Sequence, residues 1–435
     1  MNRPAPSAGA GAHAPRKTPR AAAAAVLLLP VLLAPANPAQ AEPAGGGGCL
    51  GQDGATVEEA RVTGEVPREI LDRSGFAASV DRFTRDLCGA GDADRAAAVV
   101  ERHGSALWRA AVDRVRGEGA AEGGLSAGDD RPLYWARLGM ASALHRWEPN
   151  FALDGEERAA LVADLDRRSR GHHDADFSDA EEGALRIVVT GFDPFGLDAD
   201  IRQANPSGAA ALALDGAVVE TADGVAVVEA MLFPVRWRDF GDGMVEEALV
   251  PHYTGERPAD AVITVSQGRP ERFDLEAHNG AWRGGAPDNE GVGEEETVPV
   301  PEGVPTVTPQ PQWSDSSMDH AAIVGETDGA PFPVFDNTAV TEIPEGGTEE
   351  VVRPDGPTPG SQARAGGGGD YLSNEIAYRN TLLRDATGRD VPAGHIHTPV
   401  LSLGQDGEVT DPAFEEERAA IVGQVEEIVA AAVRP

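Results

Sequence analysis

Arg186-Ile187-Val188-Val189-Thr190-Gly191-Phe192-Asp193-Pro194-Phe195-Gly196 is where the chain changes character. A short β-branched run ends there in a Gly/Pro turn, which reads as a buried strand leaving its sheet. Downstream, Asn205–Leu214 reads as a helix, Val225–Val235 and Ala259–Val265 as strands, and Arg238–His252 between them as a helix. Tyr371–Ala386 reads as a further helix and His395–Leu403 as a strand. Thr410-Asp411-Pro412 then opens a last helix, with a capping residue before proline. That helix sets Ile421, Val422, Val425, Ile428, Val429, Ala432 and Val433 on one face. Strands alternating with helices predict an α/β fold, a three-layer α/β/α sandwich around a mostly parallel twisted sheet. Ligands of such sheets sit at the carboxyl ends of strands. The rule selects the loops after Thr190, Val265 and Leu403, and the helix start near Tyr371.

Upstream of Arg186 the period is helical. Val66–Leu87 carries Ile70, Leu71, Phe76, Val80, Phe83 and Leu87 at three- to five-residue steps. Ala97–Val115, Leu133–Trp147 and Glu156–Leu165 follow, so 42–170 is expected to be a separate all-helical domain with a Gly-rich start and no catalytic constellation. A polar linker, 171–185, joins it to the second domain, 186–435. The run His172-His173-Asp174-Ala175-Asp176 in that linker lacks histidines at helical i,i+4 spacing, so it fits a solvated segment better than a metal site. No metal and no cofactor is expected.

Residues 1–41 read as a secretory signal. Arg3, Arg16, Lys17 and Arg20 precede an apolar stretch from Ala21 to Ala34, and Ala39-Gln40-Ala41 supplies a small-residue cleavage site. The apolar stretch is shorter than the roughly 18–20 residues that span a bilayer. A secreted protein with no membrane attachment after cleavage is therefore expected. The whole chain has a formal charge of −36, and Lys17 is its only lysine. Removing the signal takes away four basic residues and no acid, which leaves −40. Such a charge excludes nucleic acid and anionic lipid as partners, because both need clustered Lys/Arg. Outside the cytoplasm Cys49 and Cys88 are natural partners for one disulfide.

The loops at the strand ends hold the unusual residues. Phe192 and Phe195 on a tight turn, with Asn205 nearby, can face a flat amide-like group, although alone the two rings fit core packing at least as well. Ser266-Gln267-Gly268-Arg269, Phe273-Asp274-Leu275-Glu276 and Pro287-Asp288-Asn289-Glu290-Gly291 follow. Then come Asp370-Tyr371-Leu372-Ser373-Asn374 and Gly394-His395-Ile396-His397-Thr398-Pro399. This ordered set resembles the pyroglutamyl peptidase I family over roughly 186–291 and 366–435. The helical region has no counterpart in that family.

The resemblance implies a pyroglutamyl pocket built by Phe192, Phe195 and Asn205. It also implies Glu276 as catalytic acid and His397, not His395, as catalytic histidine; the family's motif has phenylalanine where His395 stands. The family's nucleophilic cysteine falls on Ser373, so the implied triad is Ser–His–Glu. Neither Cys49 nor Cys88 lies in this region. The family's oxyanion arginine falls on Gly285, which leaves Arg283 as the nearest candidate. The implied partner is a peptide with an N-terminal pyroglutamate. The alternative is an inactive secreted relative that binds such termini without cutting them. The resemblance also implies a homo-oligomer, which an added helical region of this size is able to block. The Pro/Gly-rich stretch 292–368 is longer than its family equivalent and is expected to be a loop-rich insertion.

Overall fold

The computed structural model describes residues 48–118 and 123–433. The expected signal, 1–41, lies outside them. Six helices come first: α1 Val57–Ala60, α2 Glu65–Ser74, α3 Ala77–Cys88, α4 Ala93–Arg116, α5 Arg131–Arg146 and α6 Gly155–Arg168. The apolar pattern from Val66 to Leu87 spans two of them. Gly75, at φ 78°, ends α2 in a left-handed turn that other residues adopt only with strain. Cys49 and Cys88 are joined by a disulfide. The helical region and the sheet belong to one compact unit, 46–435.

The main sheet has seven strands: β1 Leu185–Phe192, β2 Val218–Thr221, β3 Gly224–Phe233, β4 Ala261–Gln267, β5 Phe273–Glu276, β6 Val334–Asn337 and β7 Ala393–Thr398. Their order is β6-β5-β7-β4-β1-β3-β2. The central strands β7, β4, β1 and β3 run parallel, whereas β2 opposes β3 and the parallel pair β5 and β6 opposes β7. Ile187, Val188 and Val189 are all fully buried, as both faces of a covered parallel sheet require.

One face carries α7 Pro206–Leu214, α10 His320–Glu326 and α12 Pro412–Ala432, together with the helical region. The other carries α8 Trp237–Gly241, α9 Met244–Thr254 and α11 Leu372–Thr387. The expected cap of α12 is present, since Asp411 Oδ1 accepts from the backbone of Ala413 and Phe414 at 2.9 and 3.0 Å. The helix expected over Arg238–His252 breaks into α8 and α9 at Gly243, where φ is +86°.

The stretch 292–368 holds short elements set among long loops: besides α10 it supplies β6 to the main sheet and a three-stranded sheet of 340–343, 351–353 and 362–365. Its signal is weak because each strand is only three or four residues long, too short for a visible period. The polar run 171–185 is exposed over much of its length but is anchored at its start. Phe177 is buried, and His172 Nε2 donates to Leu232 O at 2.7 Å.

Candidate active site

β1 delivers the Gly/Pro turn to the carboxyl edge of the sheet. There Phe192 N–H donates to Ser207 Oγ at 3.1 Å. Asn205 caps α7: its Oδ1 accepts from Ser207 N and Ser207 Oγ, while its Nδ2 donates to Asp193 O at 2.8 Å. The turn and the helix start are thereby one rigid piece. Phe192, Phe195 and Asn205 line a cavity of about 200 Å³ together with Ser266, Tyr371 and Ser373. Phe195 packs against Tyr371 with ring centroids 5.1 Å apart, so its ring belongs to the cavity wall.

On the neighbouring strands, β7 pairs with both β4 and β5. The register sets His397 opposite Ser266 and His395 opposite both Thr264 and Glu276. Alternation along each strand then puts Thr264, Ser266, His395, His397 and Glu276 on one face. His397 Nδ1 lies 2.6 Å from Glu276 Oε1. An ionised carboxylate only accepts, so Nδ1 carries a proton, and in the neutral imidazole Nε2 is then the acceptor. Asn337 Nδ2 donates to the other oxygen, Glu276 Oε2, at 2.7 Å. Asn337 comes from the stretch with no motif, and nothing in its sequence neighbourhood marks it.

Ser373 is the second residue of α11, whose N-cap is Tyr371. Its hydroxyl donates to Gly368 O at 3.1 Å and makes no hydrogen bond to His397. The glycine run 366–369 lies against the pair. A Cβ on Gly368 would sit 2.8 Å from His397 Cε1, and one on Gly268 would sit 2.6 Å from His397 Cβ. The close approach of backbone to the imidazole requires glycine at both places.

Arg283 is placed elsewhere. Its guanidinium forms a buried ion pair with Glu375, lies 5.5 Å from the Trp237 ring, and does not line the cavity. Glu375 also pairs with Arg379. The cation is thus committed to a structural network.

The helical region reaches three of the motifs. Arg137 Nη1 donates to both oxygens of Asp193 at 2.8 and 3.0 Å, and Arg170 Nη1 donates to Asp193 Oδ2 at 2.6 Å. Asp130 Oδ2 accepts from Asn205 N at 2.9 Å. Glu58 Oε1 accepts from Asn289 Nδ2 at 3.0 Å, and Asn289 Nδ2 also donates to Pro194 O. The sequence signal for Arg137 is its position in a helix otherwise apolar from Leu133 to Leu138. A charge there is expensive unless paired.

Buried titratable groups make stability depend on pH. Burial, then the charge of Asp129, pushes the Asp130 carboxyl up to about 7. Burial also raises Glu229 to about 8 and Asp215 to about 6. A carboxyl raised in the folded state destabilises the fold as pH climbs through that value, because the unfolded chain ionises it freely. Burial depresses His172 to about 3 and His252 to about 4, which costs stability only below the ordinary histidine value of about 6.5. The melting temperature is therefore expected to rise as pH falls from 8 to about 6.5, below which the two histidines offset part of the carboxyl gain. Calorimetry across that range checks it; a melting temperature that climbs steadily towards pH 8 contradicts it.

Two family models match the chain: PA0049 N-terminal domain over residues 39–166, and PA0049, C-terminal domain, over 186–328 and 306–402. The uncharacterized protein PA0049 of Pseudomonas aeruginosa is 34% identical over 453 residues, which covers 82% of this chain and 82% of that protein. Among solved structures, a mutant pyrrolidone carboxyl peptidase from Pyrococcus furiosus is 21% identical, with a TM-score of 0.39, over 57% of this chain and 98% of its own. Pyroglutamyl peptidase I from Bacillus amyloliquefaciens is 20% identical, with a TM-score of 0.37, over 58% and 96%.

Proposed function

This chain belongs to the PA0049 family, and from that premise we propose that it is an exported hydrolase that releases N-terminal pyroglutamate from peptides through Ser373, His397 and Glu276. The observation that carries the reading is the 2.6 Å contact between Glu276 and His397 behind a small cavity entered by Ser373, Phe192 and Phe195. The order of the five motifs, with Ser266 and His397 on neighbouring strands and Ser373 at a helix start, supports it.

In this mechanism the Ser373 hydroxyl swings from Gly368 O to His397 Nε2. Ser373 Oγ then bonds to the pyroglutamyl carbonyl carbon as its proton passes to Nε2. Glu276 stabilises the imidazolium and holds one tautomer. The unpaired N–H groups at the start of α11 face the developing oxyanion. Collapse breaks the amide bond, and the departing amine takes the proton from Nε2. Water, deprotonated by the same nitrogen, releases pyroglutamate and restores the serine. The apolar stretch within 1–41 would direct the chain out of the cytoplasm.

A second reading, binding without cleavage, is favoured by the Ser373 bond to Gly368 O in place of His397. Hydrolysis of pyroglutamyl-7-amino-4-methylcoumarin by the purified chain tests the first. Glu276→Gln is expected to lower kcat by about a thousand- to ten-thousand-fold, because the imidazole loses its tautomer and its counter-charge. Full activity in that variant would remove Glu276 from the mechanism.

A further inference from the structure

Two histidines share the catalytic face of the sheet, and the proposed mechanism uses only one. His395 is fully buried, and its ring centroid lies 4.7 Å from that of His397. Its Nδ1 is 2.7 Å from Thr264 Oγ1, and its Nε2 is 2.8 Å from Ser266 Oγ. Thr264 Oγ1 also lies 3.1 Å from Gly394 O. A carbonyl only accepts, so the single hydroxyl proton of Thr264 goes to Gly394 O. Thr264 Oγ1 is left to accept from His395 Nδ1–H. A neutral imidazole has one N–H, so Nε2 is an acceptor and takes the proton of Ser266.

The chain of donors runs one way, from Ser266 through His395 and Thr264 to the backbone. Ser266 lines the cavity, yet its only proton is committed to the sheet behind it. What it offers a ligand is oxygen lone pairs in a fixed orientation. Resting on the pyroglutamyl reading, we propose that Ser266 is a specificity-determining residue whose oxygen accepts the ring N–H of a lactam in the cavity, with His395 and Thr264 holding it in the accepting orientation.

An attacking role for Ser266 is disfavoured by the same surroundings. Proton transfer to His395 would create a buried imidazolium whose Nδ1 partner is a hydroxyl and not a carboxylate. Burial, and then the neighbouring His397, already hold the His395 imidazole well below the usual histidine range. His397 has the carboxylate of Glu276; His395 has none. The two serines therefore divide the work: Ser373 attacks and Ser266 receives.

Ligand-observed NMR titration of the purified chain with 2-pyrrolidinone and with cyclopentanone tests this, since the second ring keeps the carbonyl and replaces N–H by CH₂. Wild type is expected to prefer 2-pyrrolidinone by about tenfold or more, as one buried N–H···O bond with a well-placed acceptor provides. Ser266→Ala should bring the two affinities within about threefold of each other, chiefly by weakening the lactam. His395→Phe keeps the serine but frees its hydroxyl to rotate, and is expected to lower the preference as well. An unchanged preference in both variants, with 2-pyrrolidinone still bound, overturns this inference and leaves the lactam site standing. If wild type binds neither ring, the pyroglutamyl reading falls and this inference with it. A loss of kcat in Ser266→Ala as deep as in Ser373→Ala would make Ser266 the attacking group and overturn the accepting role.

Discussion

Ser373→Ala is expected to reduce kcat for a pyroglutamyl amide by about ten-thousand-fold or more, because no other group is placed to form the acyl bond. KM should move far less, since the cavity walls Phe192, Phe195 and Tyr371 remain. Steady-state kinetics with pyroglutamyl-7-amino-4-methylcoumarin read both terms. Ser373→Cys separates the two readings of the site. A thiol ionises more readily than a hydroxyl, and a cysteine beside a histidine and a helix N-terminus becomes a thiolate before attack. If wild type binds pyroglutamyl peptides without cutting them while Ser373→Cys cuts them, the chain is a binder with a catalytic frame. If wild type cuts them and Ser373→Ala does not, it is a serine enzyme. Equal turnover by wild type and Ser373→Ala would exclude Ser373 as nucleophile.

The largest effect on stability is expected at Asp193. Its carboxylate lies buried between the guanidiniums of Arg137 and Arg170. Asp193→Ala leaves both cations with less charge compensation, and breaking a buried pair by deleting one partner costs about 3–5 kcal/mol. Urea denaturation should show a loss of that order. The same change loosens the turn that carries Phe192 and Phe195, so binding of pyroglutamyl ligands should weaken in whatever fraction remains folded. Arg137→Met should also destabilise the fold. The double variant should lose less than the sum of the two singles, because the second change removes a charge the first has already stranded. Strict additivity would mean that the helical region does not hold the turn through this pair.

How much was legible in the sequence follows from the range of each interaction. The alternation of strands and helices after Arg186 is local, and so are the caps of α7 and α12, where Asn205 and Asp411 stand immediately before proline. The cavity-lining Phe192, Phe195, Asn205 and Ser373 each sit at a strand end or helix start, and the order of motifs marks them without a structure. Short strands were the exception: β6 and the sheet of 340–343, 351–353 and 362–365 have too few residues to display a period.

Arg283 illustrates the limit for side chains. Proximity in sequence suggested an oxyanion role, whereas in the fold its charge is absorbed by Glu375, 92 positions further on. Asn337 on Glu276, Arg137 on Asp193 and Asp130 on Asn205 are likewise pairs between distant segments, joined by how sheets and helices stack. The sequence alone determined the α/β order, the helical region before it, and which residues stand at the strand ends, because periodicity and capping act over a few residues. Only the tertiary structure decided which polar groups meet, which proton each can give, and that the helical region grips the site. Those depend on strand register and burial, which in these four pairs set the partner of a charge or amide across 56 to 92 residues of chain.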